Sequence, residues 1–308
     1  MDTSFGIQQK GKRNLITDVA GITVGHCTLA DGDVQTGVTV LLPHQGDLFH
    51  DRCPAAVHVI NGFGKSAGLV QVQELGYLET PLILTNTLSV GTAFTACVRY
   101  MLARHDQIGR AESTVNPVIL ECNDGYLNDI RGLHVTEDHV FAALDAADTT
   151  LALGAVGAGR GMSCYHLKGG IGSASRVFEI GGQTYTLGAL AMTNFGSLID
   201  LTIAGERIGK KLAAEPENAK GSCIMVLATD APLSSRQLSR VARRAQSRSE
   251  MDRRELQGAP AATGGAAGIG GDERAPFPVG RRLAHPDAGQ TARAGACLAI
   301  HGEHRARL

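Results

Sequence analysis

The chain has 308 residues, 43% of them hydrophobic, and its 29 Lys and Arg against 30 Asp and Glu leave a net charge of −1. This length can bury one large core or two smaller ones, and the near-neutral charge argues against charge-driven binding to nucleic acid or to an anionic membrane. The seven cysteines form no CxxC pair, and no apolar run reaches the roughly 18 residues of a membrane span, so a reduced, cytoplasmic location is expected.

Apolar runs separated by turn signals predict alternating strands and helices up to residue 245. Strands are predicted at 36–42, 55–60, 81–85, 118–122, on both sides of the Gly181–Gly182 turn within 176–192, and at 223–228; helices are predicted at 66–75, 90–104, 136–147 and 235–245. Ser66 is the predicted N-cap of the first helix and Gly76 its C-cap. No repeat or linker divides this part, so a single α/β domain over residues 1–245 is expected.

The composition changes after residue 245. Of the 63 residues from 246 to 308, nine are Val, Ile, Leu, Met, Phe, Tyr or Trp, whereas 13 are Ala, ten are Gly and nine are Arg. So few apolar side chains do not offset the entropy lost when such a segment is ordered. We therefore expect residues 246–308 to be a low-complexity tail that is disordered, or that results from a frame shift in GC-rich DNA.

Two glycine-rich segments invite a nucleotide-binding interpretation, and both fail on spacing. Residues 61–66 look like the end of a phosphate-binding loop, but Val59 stands where that loop needs its first glycine. Residues 154–161 look like a dinucleotide fingerprint, but the third glycine of the pattern is replaced. The histidines never fall at HxxxH or HxH spacing, so only the fold could assemble a metal site. No metal and no cofactor is predicted.

The Gly221–Ser222 junction ends a polar loop directly before a predicted core strand. The Ser222 hydroxyl could attack the Gly221 carbonyl, because glycine allows close approach and unusual backbone geometry. Hydrolysis of the resulting ester would leave a free α-amine on Ser222, with a pKa of about 7.7–8.0. Such an amine can act as a base for its own hydroxyl. The ordinary alternative is that Gly-Ser is a common ending for a loop.

Eight segments in a fixed order resemble the self-processing serine aminopeptidase family, which includes L-aminopeptidase/D-esterases and β-peptidyl aminopeptidases. The segments are NLITDVAGITVGH (14–26), GKSAGL (64–69), ETPLILTNTLSVG (79–91), ECNDGYLND (121–129), GAVGAGRGMSCY (154–165), KGGIG (168–172), TNFG (193–196) and GS (221–222) leading into ATDAPL (228–233). Several motifs in one order are far more specific than any single motif.

The resemblance implies a four-layer αββα sandwich like that of the N-terminal-nucleophile hydrolases, incomplete at its C-terminus. It also implies self-cleavage between Gly221 and Ser222, which gives an α chain of residues 1–221 and a β chain of residues 222–308. The two pieces would stay together, and the processed protein would form a homo-oligomer. No metal or organic cofactor is implied.

The same resemblance assigns roles in the site to individual residues. Ser222 matches the nucleophile, Tyr126 an active-site tyrosine, and Asn194 an asparagine whose amide can stabilise the oxyanion. Gly170 and Gly172 would let backbone approach the substrate closely. Judged without the resemblance, Tyr126 beside Asp-Gly and Asn194 before Phe-Gly would be ordinary turn residues.

The expected substrate is a short peptide, amide or ester with a free N-terminal residue, which is cleaved through an acyl-enzyme on Ser222. A catalytically dead or misfolded protein is one alternative, because relatives carry a Gly-Ser-Gly-acid segment whose nearest equivalent here, residues 268–273, lacks the serine. A second alternative is an acyltransferase similar to ornithine acetyltransferase. Those enzymes use threonine as nucleophile, so Ser222 weighs against this alternative.

Overall fold

Two β-sheets lie face to face at the centre of the protein. The computed structural model describes residues 8–60, 62–203, 205–212, 221–256 and 295–301, with the backbone alone for 246–256 and 295–301. The strands are β1 (Thr23–Asp31), β2 (Val34–Leu42), β3 (Cys53–Val59), β4 (Tyr77–Leu78), β5 (Leu82–Asn86), β6 (Val118–Cys122), β7 (Ser163–Cys164), β8 (Leu167–Lys168), β9 (Gly170–Ile180), β10 (Gln183–Phe195), β11 (Gly221–Thr229) and β12 (Gly295–His301). The helices are α1 (Leu69–Leu75), α2 (Val90–Leu102), α3 (Glu137–Asp145), α4 (Ile208–Leu212) and α5 (Ser235–Leu256).

The first sheet has four strands in the order β1-β2-β5-β6, and the second has six in the order β4-β3-β12-β11-β10-β9. Neighbouring strands are antiparallel except for β5 with β6 in the first sheet and β3 with β12 in the second. β7 and β8 form a separate short hairpin. A mixed α/β architecture is the result.

Three apolar layers hold these elements together. Leu41 and Leu84 from the four-stranded sheet belong to one buried cluster with Leu190 and Ile224 from the six-stranded sheet. On the outer face of the four-stranded sheet, a second cluster joins β2, β5 and β6 to α2 and α3. On the outer face of the six-stranded sheet, α5 packs on β3 and β11. This order of layers confirms the predicted αββα sandwich.

Local patterns predicted most of the elements, and a few ends differ. Gly181 and Gly182 form the turn between β9 and β10, both with positive φ, and Gly76 is a left-handed C-cap as predicted. The predicted N-cap Ser66 is wrong, because α1 begins at Leu69 after Gly68. The backbone of Ala67 still pairs with β6 at this point, which delays the start of the helix.

The C-terminal part contains more secondary structure than its composition indicated. α5, predicted to end at residue 245, continues to Leu256, and β12 lies between β3 and β11. An average over 63 residues conceals the short apolar run of β12, which is long enough to form a strand. The expectation of a disordered or frame-shifted tail also concerns residues 257–294 and 302–308, which lie outside the described residues.

Candidate active site

Ser222 and Asn194 face each other across the two adjacent strands β11 and β10. In the antiparallel register Ser222 pairs with Asn194, and Gly221 pairs with Phe195. Ser222 is buried, with 6% of its surface exposed, and its Oγ lies 3.4 Å from the Asn194 Nδ2. Pairing of the strands thus brings together two of the predicted site residues from distant parts of the sequence.

The Asn194 amide is fixed by hydrogen bonds at both ends. Its Nδ2 donates to the carbonyl oxygen of Asn123 at 2.7 Å, and its Oδ1 accepts from the backbone N–H of Ser163 at 3.0 Å. Since the oxygen is held by a donor, the NH₂ group must point towards Asn123 and Ser222. A donor oriented in advance is what stabilisation of an oxyanion requires.

The hairpin that supplies Ser163 is held by Lys168. The Lys168 Nζ donates to the carbonyl oxygens of Met162 at 2.7 Å, Gly169 at 2.8 Å and Gly159 at 3.3 Å. Burial lowers the pKa of this amine. In the KGGIG motif, the lysine therefore acts on the backbone that positions Asn194.

Cys122, at the end of β6, is a neighbour of Ser222 that the sequence analysis missed. Its thiol is fully buried and donates to the carbonyl oxygen of Met192 at 3.9 Å, and burial raises its pKa well above the ordinary value although the nearby Ser222 hydroxyl acts to lower it. The thiol is therefore neutral near pH 7, when it is neither a base nor a competing nucleophile. A cysteine at the end of an apolar strand gives no sequence signal beyond that of a core residue.

Two buried carboxyl groups flank the end of β6. The Glu121 side chain accepts hydrogen bonds from the backbone N–H of Lys65 at 2.8 Å and from the Thr87 hydroxyl. Asp124 is fully buried and accepts from the Asn128 amide at 3.1 Å. Burial raises the pKa of Asp124. Glu121 thus ties β6 to the segments around residues 65 and 87, and Asp124 braces its own loop from within.

Gly221 occupies a position where a side chain has no room. Its φ is +148°, and an added Cβ would lie 2.1 Å from the carbonyl oxygen of Asn194 and 2.3 Å from the Cα of Phe195. Any L-residue would therefore push β11 away from β10. The geometry explains why glycine precedes Ser222.

The remaining predicted site residues differ in what surrounds them. A Cβ on Gly170 would lie 2.1 Å from the carbonyl oxygen of Gly154, whereas one on Gly172 would meet no described atom within 4 Å. Tyr126 lies in the loop after β6 and is 78% exposed. Among the described residues, no hydrogen bond joins its hydroxyl to Ser222 or Asn194. The structure thus brings Gly221, Ser222 and Asn194 together and leaves Tyr126 on the surface.

Known proteins resemble this chain over most of its described length. The sequence pattern of Peptidase family S58 matches residues 14–248. The chain is 39% identical over 264 residues to the β-peptidyl aminopeptidase BapA of Sphingosinicella microcystinivorans, with 76% of this chain and 65% of that protein covered. It is 41% identical over 260 residues to BapA of Sphingosinicella xenopeptidilytica, with 76% and 64% covered. The chain thus spans about 65% of the length of these curated relatives.

Solved structures agree with the sequence relatives. The PH0078 protein of Pyrococcus horikoshii has 52% identity and a TM-score of 0.76 over 79% of this chain and 70% of that one. A β-aminopeptidase from Burkholderia has 44% identity and a TM-score of 0.72 over 79% and 69%. The L-aminopeptidase D-Ala-esterase/amidase of Ochrobactrum anthropi, described as a variant of the Ntn hydrolase fold, has 38% identity and a TM-score of 0.72 over 79% and 70%.

None of the described helices combines the length and the hydropathy needed to cross a lipid bilayer. The layered fold, the matched sequence pattern over residues 14–248 and the relatives of about 40% identity agree with one another. The chain belongs to Peptidase family S58.

Proposed function

We propose that this protein is a self-processing serine aminopeptidase whose nucleophile is the hydroxyl of Ser222. One observation carries the proposal. A serine that follows a glycine with no room for a side chain begins a central strand, and its Oγ lies 3.4 Å from an amide nitrogen held in place by other contacts. The names of the relatives, which are aminopeptidases, support the same class of reaction.

Processing would begin with attack of the Ser222 Oγ on the carbonyl carbon of Gly221. The C–N bond between the two residues breaks, and an ester forms between the Gly221 carbonyl and the Ser222 oxygen. Water then hydrolyses that ester, which leaves a carboxylate on Gly221 and a free α-amine on Ser222. Because the cut falls at the end of the pairing between β10 and β11, from Leu187 with Thr229 to Phe195 with Gly221, both fragments can remain in one fold.

Turnover would use the new α-amine as the base for the Ser222 hydroxyl. The hydroxyl attacks the carbonyl carbon of the substrate's N-terminal residue, the leaving amine or alcohol takes up a proton, and water releases the acyl group. Asn194 would donate its Nδ2 hydrogen to the tetrahedral oxyanion. Tyr126 would contact the substrate from the exposed loop, and Gly170 and Gly172 would let the substrate backbone approach.

The substrate class would be short peptides, amides or esters with a free N-terminal amine. The positive charge of that amine requires a carboxylate partner, and the buried acids at the end of β6, Glu121 and Asp124, are candidates. We propose further that the processed protein is a cytoplasmic homo-oligomer that needs no cofactor.

The test is Ser222→Ala in the full chain. Denaturing electrophoresis and mass spectrometry of the folded wild type should give two fragments that begin at residues 1 and 222, together with release of p-nitroaniline from alanine or β-alanine p-nitroanilides. Ser222→Ala should give one intact chain with no turnover, because no hydroxyl remains to attack. Ser163→Ala is the matched control, since it removes a nearby hydroxyl and keeps the backbone N–H that holds Asn194.

An uncut and folded wild-type chain would overturn the proposal, and so would turnover that survives in Ser222→Ala. The alternative of a catalytically dead protein predicts the first of these results. The acyltransferase alternative predicts turnover of acetyl-ornithine, and the relatives, which are named aminopeptidases, do not support it. Residues 268–273, which prompted the first alternative, lie outside the described residues.

A further inference from the structure

A cluster of metal-ligating side chains lies on the loop between β2 and β3 and just beyond the end of α2. Asp47 and His50 come from the loop, and His105 comes from the segment after the helix. One ligand atom from each of the three lies within 4.8 Å of the other two. In the part of the chain that the structure describes, no other group of three or more such side chains meets this distance.

The distances inside the cluster suit a small divalent ion. The Asp47 Oδ2 lies 2.7 Å from the His50 Nδ1, and the Asp47 Oδ1 lies 3.3 Å from the His105 Nε2. A tetrahedral zinc ion with bonds of about 2.0–2.2 Å separates its ligand atoms by about 3.3–3.6 Å. Small side-chain rotations that shift the ligand atoms by a few tenths of an ångström to about one ångström would therefore accommodate the ion.

Contacts around the cluster hold the ligands in a suitable orientation. Both His50 nitrogens face a carboxylate in this structure, Nδ1 at 2.7 Å from the Asp47 Oδ2 and Nε2 at 2.8 Å from the Glu112 Oε1. When an ion binds Nδ1, the proton shared with Asp47 passes to solvent, and Glu112 holds the remaining proton on Nε2. A carboxylate behind a ligating histidine is the usual outer partner at such sites.

Asp47 and the two imidazole rings are also held in place. The Asp47 Oδ1 accepts hydrogen bonds from the backbone N–H groups of Phe49 at 3.0 Å and His50 at 3.2 Å. The buried ring of Phe49 lies 5.2 Å from the His50 ring and 5.5 Å from the His105 ring, centroid to centroid. A site with its ligands arranged beforehand loses less entropy when the ion binds.

The cluster opens onto a cavity of about 290 Å³ that Asp47 and His105 help to line. The cavity has room for a water molecule as the fourth ligand. Arg104 also lines it, with its guanidinium carbon 3.5 Å from the centroid of the Tyr100 ring. Asp47, which lines the same cavity, carries the opposite charge.

We propose that Asp47, His50 and His105 bind one divalent transition-metal ion of the zinc type, with Glu112 as the outer partner of His50. Two imidazoles and one carboxylate favour such an ion over Ca²⁺ or Mg²⁺, which prefer oxygen ligands. The ion ties the loop of residues 43–52 to the end of α2. It acts on the fold rather than on the chemistry at Ser222, so the proposal stands independently of the proposed function.

The experiment titrates the untagged full chain, stripped of metal, with Zn²⁺ in a calorimeter and measures bound zinc after dialysis. Wild type should bind one equivalent and melt at a higher temperature with zinc than without it. His50→Ala and His105→Ala should lose this binding, and Glu112→Gln should weaken it about 10–100-fold. His134→Ala is the matched control, because it removes an imidazole paired with Asp129 at 3.1 Å outside the cluster, and it should bind like wild type.

Two results would overturn the proposal. One is a wild type that retains no more zinc than His50→Ala, and the other is retention of one equivalent by both histidine variants. Circular dichroism checks that the variants are folded. If a histidine variant does not fold, Asp47→Asn takes its place, because it keeps a hydrogen-bond acceptor. Co²⁺ in place of Zn²⁺ adds a readout, since its visible absorption should show tetrahedral coordination in wild type and lose that signature in His105→Ala.

Discussion

The strands of the two sheets span very different lengths of the sequence. β1, β2, β5 and β6 all lie between Thr23 and Cys122, whereas the six-stranded sheet runs from Cys53 to His301. Within the larger sheet, β12 is antiparallel to β11 on one side and parallel to β3 on the other. The sheet that carries Ser222 and Asn194 is therefore continuous only through a strand supplied by the far end of the chain.

Removal of β12 should have the largest effect, and it should separate the two sheets. A chain that ends at Leu256 leaves the hydrogen-bonding edges of β3 and β11 without their partner. This should cost several kcal/mol of the about 5–15 kcal/mol that stabilise a domain, and the four-stranded sheet should stay folded. Hydrogen exchange should show amides of β3 and β11 losing protection first, with those of β2 and β5 retaining more. A chain that ends at His301 keeps the strand and serves as the control.

Equal exchange in both sheets after removal of β12 would show that they unfold as one unit. Unchanged protection of β3 and β11 would show that β12 contributes nothing to the sheet. Either result would contradict the view that the six-stranded sheet depends on β12 while the four-stranded sheet is stable without it.

Asn194→Ala should have the next largest effect, and on catalysis rather than folding. The loss of one oxyanion donor typically costs about 2.7–4 kcal/mol of transition-state stabilisation, or roughly 10²–10³-fold in kcat. Because the Asn194 Oδ1 also accepts from the backbone of Ser163, Asn194→Asp is the useful companion, since it keeps an acceptor and loses the donor. Steady-state kinetics should show a loss in kcat for Asn194→Asp at least as large as for Asn194→Ala, because its carboxylate would also repel the oxyanion. A loss confined to Asn194→Ala would assign the effect to the β7–β8 hairpin instead.

Sequence patterns predicted the elements better than the contacts between them. β6 was predicted with its observed ends, and the turn at Gly181–Gly182 was predicted because its residue types specify it. β1 was not predicted, because His26 and Thr28 interrupt its apolar run, and the structure accounts for His26 by a hydrogen bond of 2.9 Å to Thr39. Such a partner is chosen by the tertiary fold and leaves no mark in the local pattern.

In the candidate site, too, single residues were predicted from sequence and the contacts between them were not. The Gly-Ser step before a core strand indicated Ser222, and family resemblance added Asn194, but the register that places them opposite each other depends on the pairing of β10 with β11. Cys122 was missed because a buried thiol looks like any core residue. The cluster around His50 was missed because its members are far apart in sequence and match no metal-binding spacing.

The smallest expected effect is on stability and comes from Asp18, which anchors the N-terminal segment to β9 of the six-stranded sheet. Its carboxylate accepts from the Ser175 hydroxyl at 2.7 Å and from the backbone N–H groups of Arg13 at 3.0 Å and Leu15 at 3.2 Å. Burial acts to raise the pKa of Asp18, but these hydrogen bonds outweigh it and the pKa is lowered. The charged form is thus stabilised in the folded state, and its contribution is present above the unfolded pKa and lost as the pH falls through the folded one.

Asp18→Asn should therefore lower the free energy of unfolding by about 1.5 kcal/mol at pH 7, the lower end for hydrogen bonds to a charged group. The difference from wild type should shrink as the pH falls below about 4, where the unfolded carboxyl takes up its proton. Urea unfolding from pH 3 to 7 measures this, with Asp31→Asn on the exposed end of β1 as the control from the other sheet. A difference that does not change with pH would assign the effect of Asp18 to packing rather than charge, and an equal effect of Asp31→Asn would remove the special link to β9.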